Sequence, residues 1–555
     1  MSIPSAGSPS WRPSRGFRHA LACLALLVLV GAAFLNALAN GFVTYDDWFL
    51  VEENPRIRSL AWPRVVALFA RPNDRGVWLP LRELSYAVDY RLWGLDPFGY
   101  HLTNVGLHAA NVLLAYALVC WVVGRPAMAF LGAAVFAVHP VQAESVAWVA
   151  GRRDVLSGFF FLAAFLAFVG FERRGGRRRW LLYAASLAGL ACALASKATA
   201  MMLPAVLVLA VLVFGGRAGA VWRRVALCVP HGLLAAGGAA VHFLAARQAG
   251  VVKEVVAGGR LPSVAWSLAA YWRLLFFPVG LSTPQARQPV PWSATWVVLG
   301  SVAVVVGVVA AAWWAAPRRR LALFCLGWWF LLLLPVSNLV PLSMLIAERY
   351  LYLPLLGAGA YGAELVASLA RRRGALVVAC SALVVGLLGT ATVERNRTWR
   401  NSMVFWKEAV ERWPDSPVTR LGLASAYVDA NRPERAWGQY LEVASHAGTA
   451  LSRNPEHERF IRAGLERCSE RLGRLLEARG ERERALEVYA TALSLRPDDI
   501  ELRAQLARAY ERYGMVEEAR AQVEAIAEAE GDVPGLEQWL ERLERKASWR
   551  SKGEE

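Results

Sequence analysis

Residues 12–48 read RPSRGFRHALACLALLVLVGAAFLNALANGFVTYDDW. Three arginines come first (Arg12, Arg15 and Arg18), then the uncharged run 19–38, then the adjacent acids Asp46 and Asp47. About 20 apolar residues are what a helix needs to cross the hydrocarbon core of a bilayer. Basic residues gather on the cytoplasmic side of such a run. The stretch therefore predicts a first span with its N-terminus inside and the two aspartates emerging outside. Ala37-Leu38-Ala39 would suit a signal-peptide cleavage site, but the apolar core is longer than a signal h-region, so a retained anchor is expected.

The rest of the front part repeats this pattern. Of 555 residues, 56% are hydrophobic and only 19% charged, against roughly 25% in soluble proteins. Apolar runs near 19–38, 102–123, 127–139, 154–171, 180–196, 199–214, 225–246, 295–316, 321–336, 350–370 and 375–391 predict about eleven spans, the third short enough to be re-entrant. Arg125, Arg173/Arg174, Arg177–Arg179, Arg217/Arg223/Arg224, Arg318–Arg320 and Arg371–Arg373 then all fall on the cytoplasmic side. That assignment requires 263–280 not to cross, so it reads as an interfacial or re-entrant helix anchored by Trp266, Trp272 and Arg273. The net charge is +17, but the basic residues sit in short clusters between spans rather than along a stripe, which argues against nucleic acid. The seven cysteines show no metal-ligand spacing and read as small core residues.

Acids are costly in lipid, so those retained are informative. Of the acids before residue 401, all but Glu172 and Glu364 fall at the outer face on this topology. The first external loop, 39–101, is especially acidic. A carboxylate at a membrane boundary is partly desolvated, which raises its pKa and improves it as a base; a solvated loop start is the simpler account of Asp46-Asp47 taken alone. Three more outer segments combine polar groups with apolar flanks: His139 to Glu144 running on to Arg152, Arg153 and Asp154; Ser196-Lys197; and Glu348-Arg349-Tyr350. Lys and Arg near the headgroups can neutralise a lipid phosphate, although each alone more often snorkels. His101 and His108 share a helix face and with Asp46 form a candidate metal set. Isolated histidines are more often hydrogen-bonded helix residues, so no metal and no cofactor is assigned.

Beyond residue 400 the balance reverses, with 24 basic and 29 acidic residues. Gly480 and Gly514 are 34 apart, as are Ala485 and Ala519; Asn431 and Ala436 precede them at 49, which is 34 plus a 15-residue insertion including Ser445–Gly448. A 34-residue period with small residues at the turns is the tetratricopeptide (TPR) signature. Residues 400–413 read as a half-repeat, and Trp406, Trp413, Tyr427, Tyr489 and Tyr510 as packing residues. The predicted fold is all-α: a polytopic membrane bundle (1–395), TPR helical repeats (396–540) and a charged tail (541–555).

Taken in order, Phe42–Asp47 with Asn54-Pro55, Trp93–His101 with Asn104 and His108, His139-Pro140-Val141 with Glu144 and Gly151-Arg152, Ser196-Lys197, Glu348–Pro354 and the TPR tail resemble the transmembrane-and-TPR family of protein O-mannosyltransferases and their bacterial relatives, within the GT-C class of glycosyltransferases. The resemblance implies a GT-C core of about eleven spans and a polyprenyl- or dolichyl-phosphate sugar donor. It also implies that Asp46 or Asp47 is the catalytic base. Arg349 and Lys197 would bind the donor phosphate. His139, Glu144, Arg152, Glu348, Tyr350 and His101 would position sugar or acceptor. Two features depart from the family pattern: Leu79 stands before Pro80-Leu81 where relatives often have Arg, and Ala198 follows Lys197 where they often carry an acid.

The expected activity is inverting transfer of a sugar, mannose on the resemblance, to a hydroxyl on a secreted protein. The TPR array, on the non-cytoplasmic side, would dock the acceptor or another protein. Alternatives are a non-catalytic membrane scaffold for envelope or exopolysaccharide assembly, and a transferase acting on a lipid or glycan. The Arg-rich, Ala/Val/Leu-rich composition fits a bacterial inner membrane with a periplasmic tail.

Overall fold

The computed structural model describes residues 15–73, 75–215, 218–248, 261–281, 293–339, 344–450, 455–530 and 535–551. Arg12, Asp74, Arg217 and Glu254 lie outside the described residues. Among the described residues every regular element is helical. Two compact units divide between Arg400 and Asn401.

The first unit opens with α1 (Arg15–Phe34), then α2 (Trp62–Ala70) and α3 (Pro80–Trp93) within the stretch between the first two spans. The membrane bundle continues with α4 (Pro97–Val123), α5 (Pro126–Val138), the short α6 (Ala143–Val146), α7 (Arg152–Arg173), α8 (Arg179–Ser196), α9 (Leu203–Phe214), α10 (Ala218–Ala226) and α11 (Val229–Gln248). It closes with α12 (Leu261–Phe276), α13 (Thr295–Ala315), α14 (Arg319–Leu333) and α15 (Pro354–Asn396). Local chemistry sets several ends. The Asp96 side chain accepts from Phe98 N and Pro97 starts α4, while Gly124, at φ 75°, stops it in the left-handed region.

Among the described residues eight helices are long and apolar enough to cross a membrane, and nine if α5 and α6, bent by 52°, are counted as one span. This is a multi-pass membrane domain. All eleven predicted runs are helical, but three fall short of that test. Residues 199–214 form a short apolar helix. Residues 126–146 break at His139-Pro140, because Pro140 has no N–H to continue the ladder. The tenth and eleventh runs form one helix of 43 residues, about 64 Å long if straight. Yet Glu348, just before it, pairs with Arg395, near its end. The helix therefore folds back on itself, and the Arg371–Arg373 stretch lies between its two arms.

Aromatic packing fills the middle of the bundle. Trp328 meets Phe161 and Phe165 edge-on, and Trp121 meets Phe165, Phe214 and Phe324. On α13 the large side chains of Val297, Leu299, Val302, Val304 and Val306 are exposed, an apolar surface that lipid covers. The two ends of the bundle differ. At one end Arg318 donates to Glu364 (2.6 and 2.9 Å) and to Val123 O. The other end carries the buried polar groups described below. Glu364, one of the two acids not expected at the outer face, is thus an arginine partner at the end of α4. Trp272, expected at the surface, is buried and stacks on Trp329 at 4.4 Å. The α12 segment is held by the protein interior rather than by the headgroup layer.

In the second unit α16 (Ser402–Arg412) precedes three helix pairs: α17 (Pro417–Asp429) with α18 (Pro433–Ala450), α19 (Pro455–Ala478) with α20 (Arg482–Leu495), and α21 (Ile500–Arg512) with α22 (Val516–Glu530); α23 (Leu536–Ser551) follows. Asn431, Gly480 and Gly514 all have positive φ, and each is followed by a residue whose N–H reaches back five positions: Arg432 to Tyr427, Glu481 to Leu476 and Met515 to Tyr510. The repeated residue is the left-handed C-cap of the first helix in each pair. The insertion lengthens α18 and α19 to 18 and 24 residues. Trp406, Tyr427 and Tyr489 are buried in packing.

Candidate active site

The polar end of the bundle is built on the turn between α6 and α7. Asn104 of α4 donates to Trp148 O at 2.8 Å and to Val146 O at 3.3 Å, fixing that turn to the second span. Gly151 is needed there: a Cβ would lie 2.6 Å from the carbonyl oxygens of Glu144 and Ser145. Arg152, fully buried, donates to Asp89 (2.6 Å), Ser85 (3.1 Å), Tyr100 O (2.8 Å) and Asn104 Oδ1. All three of its guanidinium nitrogens donate within the protein. It ties α3 and α4 to α7.

Trp148 is the hub of this end. Its ring stacks between Tyr45 (5.3 Å) and Trp399 (5.2 Å). The guanidinium groups of Arg349 and Arg153 lie 5.8 and 5.9 Å from its centroid, within cation–π range. Segments far apart in sequence, around residues 45, 153, 349 and 399, meet on this one indole.

Arg349 and Glu144 form a buried pair. Glu144 accepts from Arg349 N at 2.8 Å and from its guanidinium. Next to it, Glu348 accepts from Arg395 at 2.9 and 3.3 Å. Asp154 pairs with Lys197, whose ammonium burial draws down from its usual range while Asp154 opposes the shift. Asp154, Lys197 and Arg349 line a small cleft of about 30 Å³ with Ser157, Thr199 and Tyr350, and Leu332, Val336, Leu353 and Pro354 make its apolar side. Its lining sets two cations beside apolar side chains.

The aspartates have different surroundings. Asp47 is fully buried, and its carboxylate accepts from Val43 N (2.9 Å) and Ala150 N (3.0 Å). Burial holds its carboxyl well above the usual range, against those two donors. Asp46 keeps a side chain 24% exposed and lies 3.9 Å from Arg75, whose guanidinium stacks on Phe49 at 3.8 Å. Asp46 follows Tyr45, whose ring stacks on the same Trp148 indole that Arg349 approaches.

Comparison with known proteins finds similarity over parts of the chain. The chain is 37% identical over 179 residues to the mouse protein O-mannosyl-transferase TMTC1, covering 29% of this chain and 18% of that one. It is 32% identical over 204 residues to the Drosophila melanogaster protein O-mannosyl-transferase Tmtc1, covering 35% and 23%. A tetratricopeptide repeat model matches residues 476–537. Over these stretches the chain is similar to protein O-mannosyl-transferases of the TMTC type. The matched stretches span only about a fifth of those relatives' length. Among solved structures, ArnT from Cupriavidus metallidurans aligns over 77% of this chain and 76% of that one, at 17% identity and a TM-score of 0.40.

Of the site residues expected for an O-mannosyl-transferase relative, Arg349, Lys197 and Tyr350 line the cleft, Glu144 holds Arg349, and Asp46 stands beside it. Of the others, all but His101, whose two ring nitrogens are buried without a hydrogen-bond partner, are engaged within the protein. Arg152 and Glu348 are engaged by Asp89 and Arg395. His139 caps the α5–α6 break, with Nδ1 accepting from Val141 N (3.3 Å) and Nε2 donating to Leu275 O (3.1 Å). His101 is buried against the Asn40–Gly41 backbone. His108 bonds Tyr352 Oη (3.0 Å) and Ala137 O (3.1 Å), so it does not join His101 and Asp46. Among the described residues no group of three His, Cys, Asp or Glu side chains is placed to hold a metal. Trp148 and Arg395 were not singled out from the sequence, and Asp154 was named only as the end of an outer polar segment, without a role. The pairing of Asp154 with Lys197 supplies locally the acid that is missing after Lys197, but nothing in their spacing of 43 residues announces it.

Proposed function

We propose that the protein is a GT-C glycosyltransferase that moves a sugar from a polyprenyl- or dolichyl-phosphate carrier to a hydroxyl on a secreted protein. The observation that carries the reading is the cleft: two cations, Lys197 and Arg349, face an apolar wall, with the half-exposed Asp46 carboxylate alongside. Asp46 is the better base because Asp47 is sealed by two backbone donors. Asp46 takes the acceptor proton as the hydroxyl oxygen attacks the anomeric carbon. The bond from that carbon to the phosphate oxygen breaks, and the configuration inverts. Lys197 and Arg349 stabilise the charge that develops on the leaving phosphate. Asp154 and Glu144 hold those cations in place, and Tyr350 flanks both, 5.7 Å from the Lys197 ammonium and 5.2 Å from the Arg349 guanidinium.

On this reading the polar end of the bundle faces away from the cytoplasm, as the arginine clusters at the opposite end favour. The host membrane is a bacterial inner membrane, and the TPR unit, in the periplasm, docks the acceptor or a partner protein. Mannose is the sugar that the relatives' names suggest. The test is transfer in vitro from a panel of polyprenyl-phosphate sugars, read by mass. Transfer by the full-length protein that is abolished in Asp46→Asn supports the reading; undiminished transfer by that variant would sink the assignment of the base.

A further inference from the structure

Arg82 lies in the first turns of α3, two residues past Pro80, with a side chain only 2% exposed. Its Nε and Nη2 are sealed from solvent and have no hydrogen-bond partner. The carboxylate in ion-pair range is Glu83, at 3.9 Å from Nη2, and Glu83 already accepts from Arg56 at 2.8 Å. The buried cations nearby are better matched: every guanidinium nitrogen of Arg152 donates, and Arg349 and Arg395 each hold a buried carboxylate, although Arg349 Nε has no hydrogen-bond partner. Guanidinium remains charged when buried, and sealed donors left unfilled weaken a fold.

A second guanidinium shares this condition. Arg153 Nε is buried without a hydrogen-bond partner, 3.7 Å from Asp154. The charges acting on Arg82 include Arg153 and Asp46, and those acting on Lys197 include Arg153 and Arg349. Hydrogen bonds bring the same groups together: Arg152 donates to Ser85, one turn past Arg82 on α3, at 3.1 Å, and Ala150 N donates to Asp47 at 3.0 Å, so the start of α7 carries Arg153 to the side of α3 and of the Asp46–Asp47 segment.

We propose that Arg82 and Arg153 form a second anion site beside Asp46, which takes a carboxylate or phosphate carried by the acceptor next to its reacting hydroxyl. The proposal rests on Asp46 as the base. The donor phosphate belongs to Lys197 and Arg349, so an anion on the Arg82 flank of the base arrives with the acceptor. For a protein acceptor this means a serine or threonine with an acidic or phosphorylated neighbour. Arg82 also offers one turn into α3 the cation that Leu79 does not supply.

The experiment uses the full-length protein in nanodiscs, with polyprenyl-phosphate mannose and matched serine peptides carrying Glu, phosphoserine or Gln beside the acceptor. Wild type should favour the anionic peptides by about ten-fold in kcat/KM, the scale of one charge-assisted hydrogen bond. Glu and phosphoserine separate the two anion sources. Arg82→Met should bring the ratio close to one, and Arg82→Lys should restore part of it. A second readout needs no turnover. The Glu peptide, and not the Gln peptide, should raise the melting temperature of wild type but not of Arg82→Met. Unliganded Arg82→Met should melt at or above wild type, because the variant removes a buried charge with unfilled donors. Melting below wild type would show that Arg82 is satisfied internally and overturn the proposal. So would equal use and equal binding of Glu and Gln peptides by wild type, or discrimination retained in Arg82→Met. If Asp46→Asn still transfers while the Arg82-dependent preference persists, the base assignment falls and the anion site stands.

Discussion

Replacing Glu144 with alanine removes the counter-charge of Arg349 and both hydrogen bonds that seat it, one to the backbone N–H at 2.8 Å and one to the guanidinium. Arg349 is only 7% exposed. Breaking a buried pair by deleting one partner destabilises by about 3–5 kcal/mol. Two hydrogen bonds involving charged groups, at about 1.5–3 kcal/mol each, give the same range. Glutamine at 144 retains one acceptor and should lose roughly half as much. Glu144→Gln combined with Arg349→Met removes the stranded charge, so the double variant should recover most of the stability, with a coupling of about 2–3 kcal/mol. Transfer should not recover, because the phosphate-binding cation is gone. Denaturation of the detergent-solubilised full chain, followed by tryptophan fluorescence, reads the first effect, and Trp148 next to Arg349 is a natural reporter. Transfer from a polyprenyl-phosphate sugar reads the second. A Glu144→Ala protein within about 0.5 kcal/mol of wild type, the range of surface substitutions, would refute the reasoning. So would a double variant no more stable than the single one.

Asp46→Asn should leave stability within about 0.5 kcal/mol while lowering transfer by about 10²–10⁴-fold, the contribution of a general base. Asp47→Asn should do the reverse in kind, destabilising by about 1–3 kcal/mol because an amide offers one acceptor oxygen to two backbone donors; equal loss of stability in both variants would contradict the distinction between them. Asp47 also has a pH signature. Its folded pKa is raised by burial, so its contribution favours the fold below the ordinary carboxylate range and is lost as pH rises through the raised value. Asp47→Asn should flatten that part of the stability profile, and an unchanged profile would count against the burial account. In the TPR unit, Gly473→Ala would place a Cβ 2.2 Å from Cζ of the buried Tyr489. Overpacking of this kind should destabilise by about 1–3 kcal/mol, seen as an earlier melt by circular dichroism.

The sequence by itself determined the all-helical class, the existence of membrane spans, the clustering of arginines between them and the TPR period, because each rests on local composition or on a repeat along the chain. Asn431, Gly480 and Gly514 could be aligned by counting, since a left-handed cap is a property of one residue and its neighbours. The outer motifs also drew notice to Asp46-Asp47, His139 to Glu144, Lys197 and Arg349, segments that the fold gathers at one end of the bundle. What only the tertiary structure decided is which side chain in each motif is free. Asp46 and Asp47 are chemically identical and adjacent, and their difference comes from Ala150 N, about a hundred residues away. Arg152 and Arg153 differ because Asp89 and Asn104 reach only the first. The partners of Lys197, Arg349 and Glu348 likewise come from distant helices. Availability for chemistry depends on which donors and acceptors the fold has already matched, and that matching is long-range.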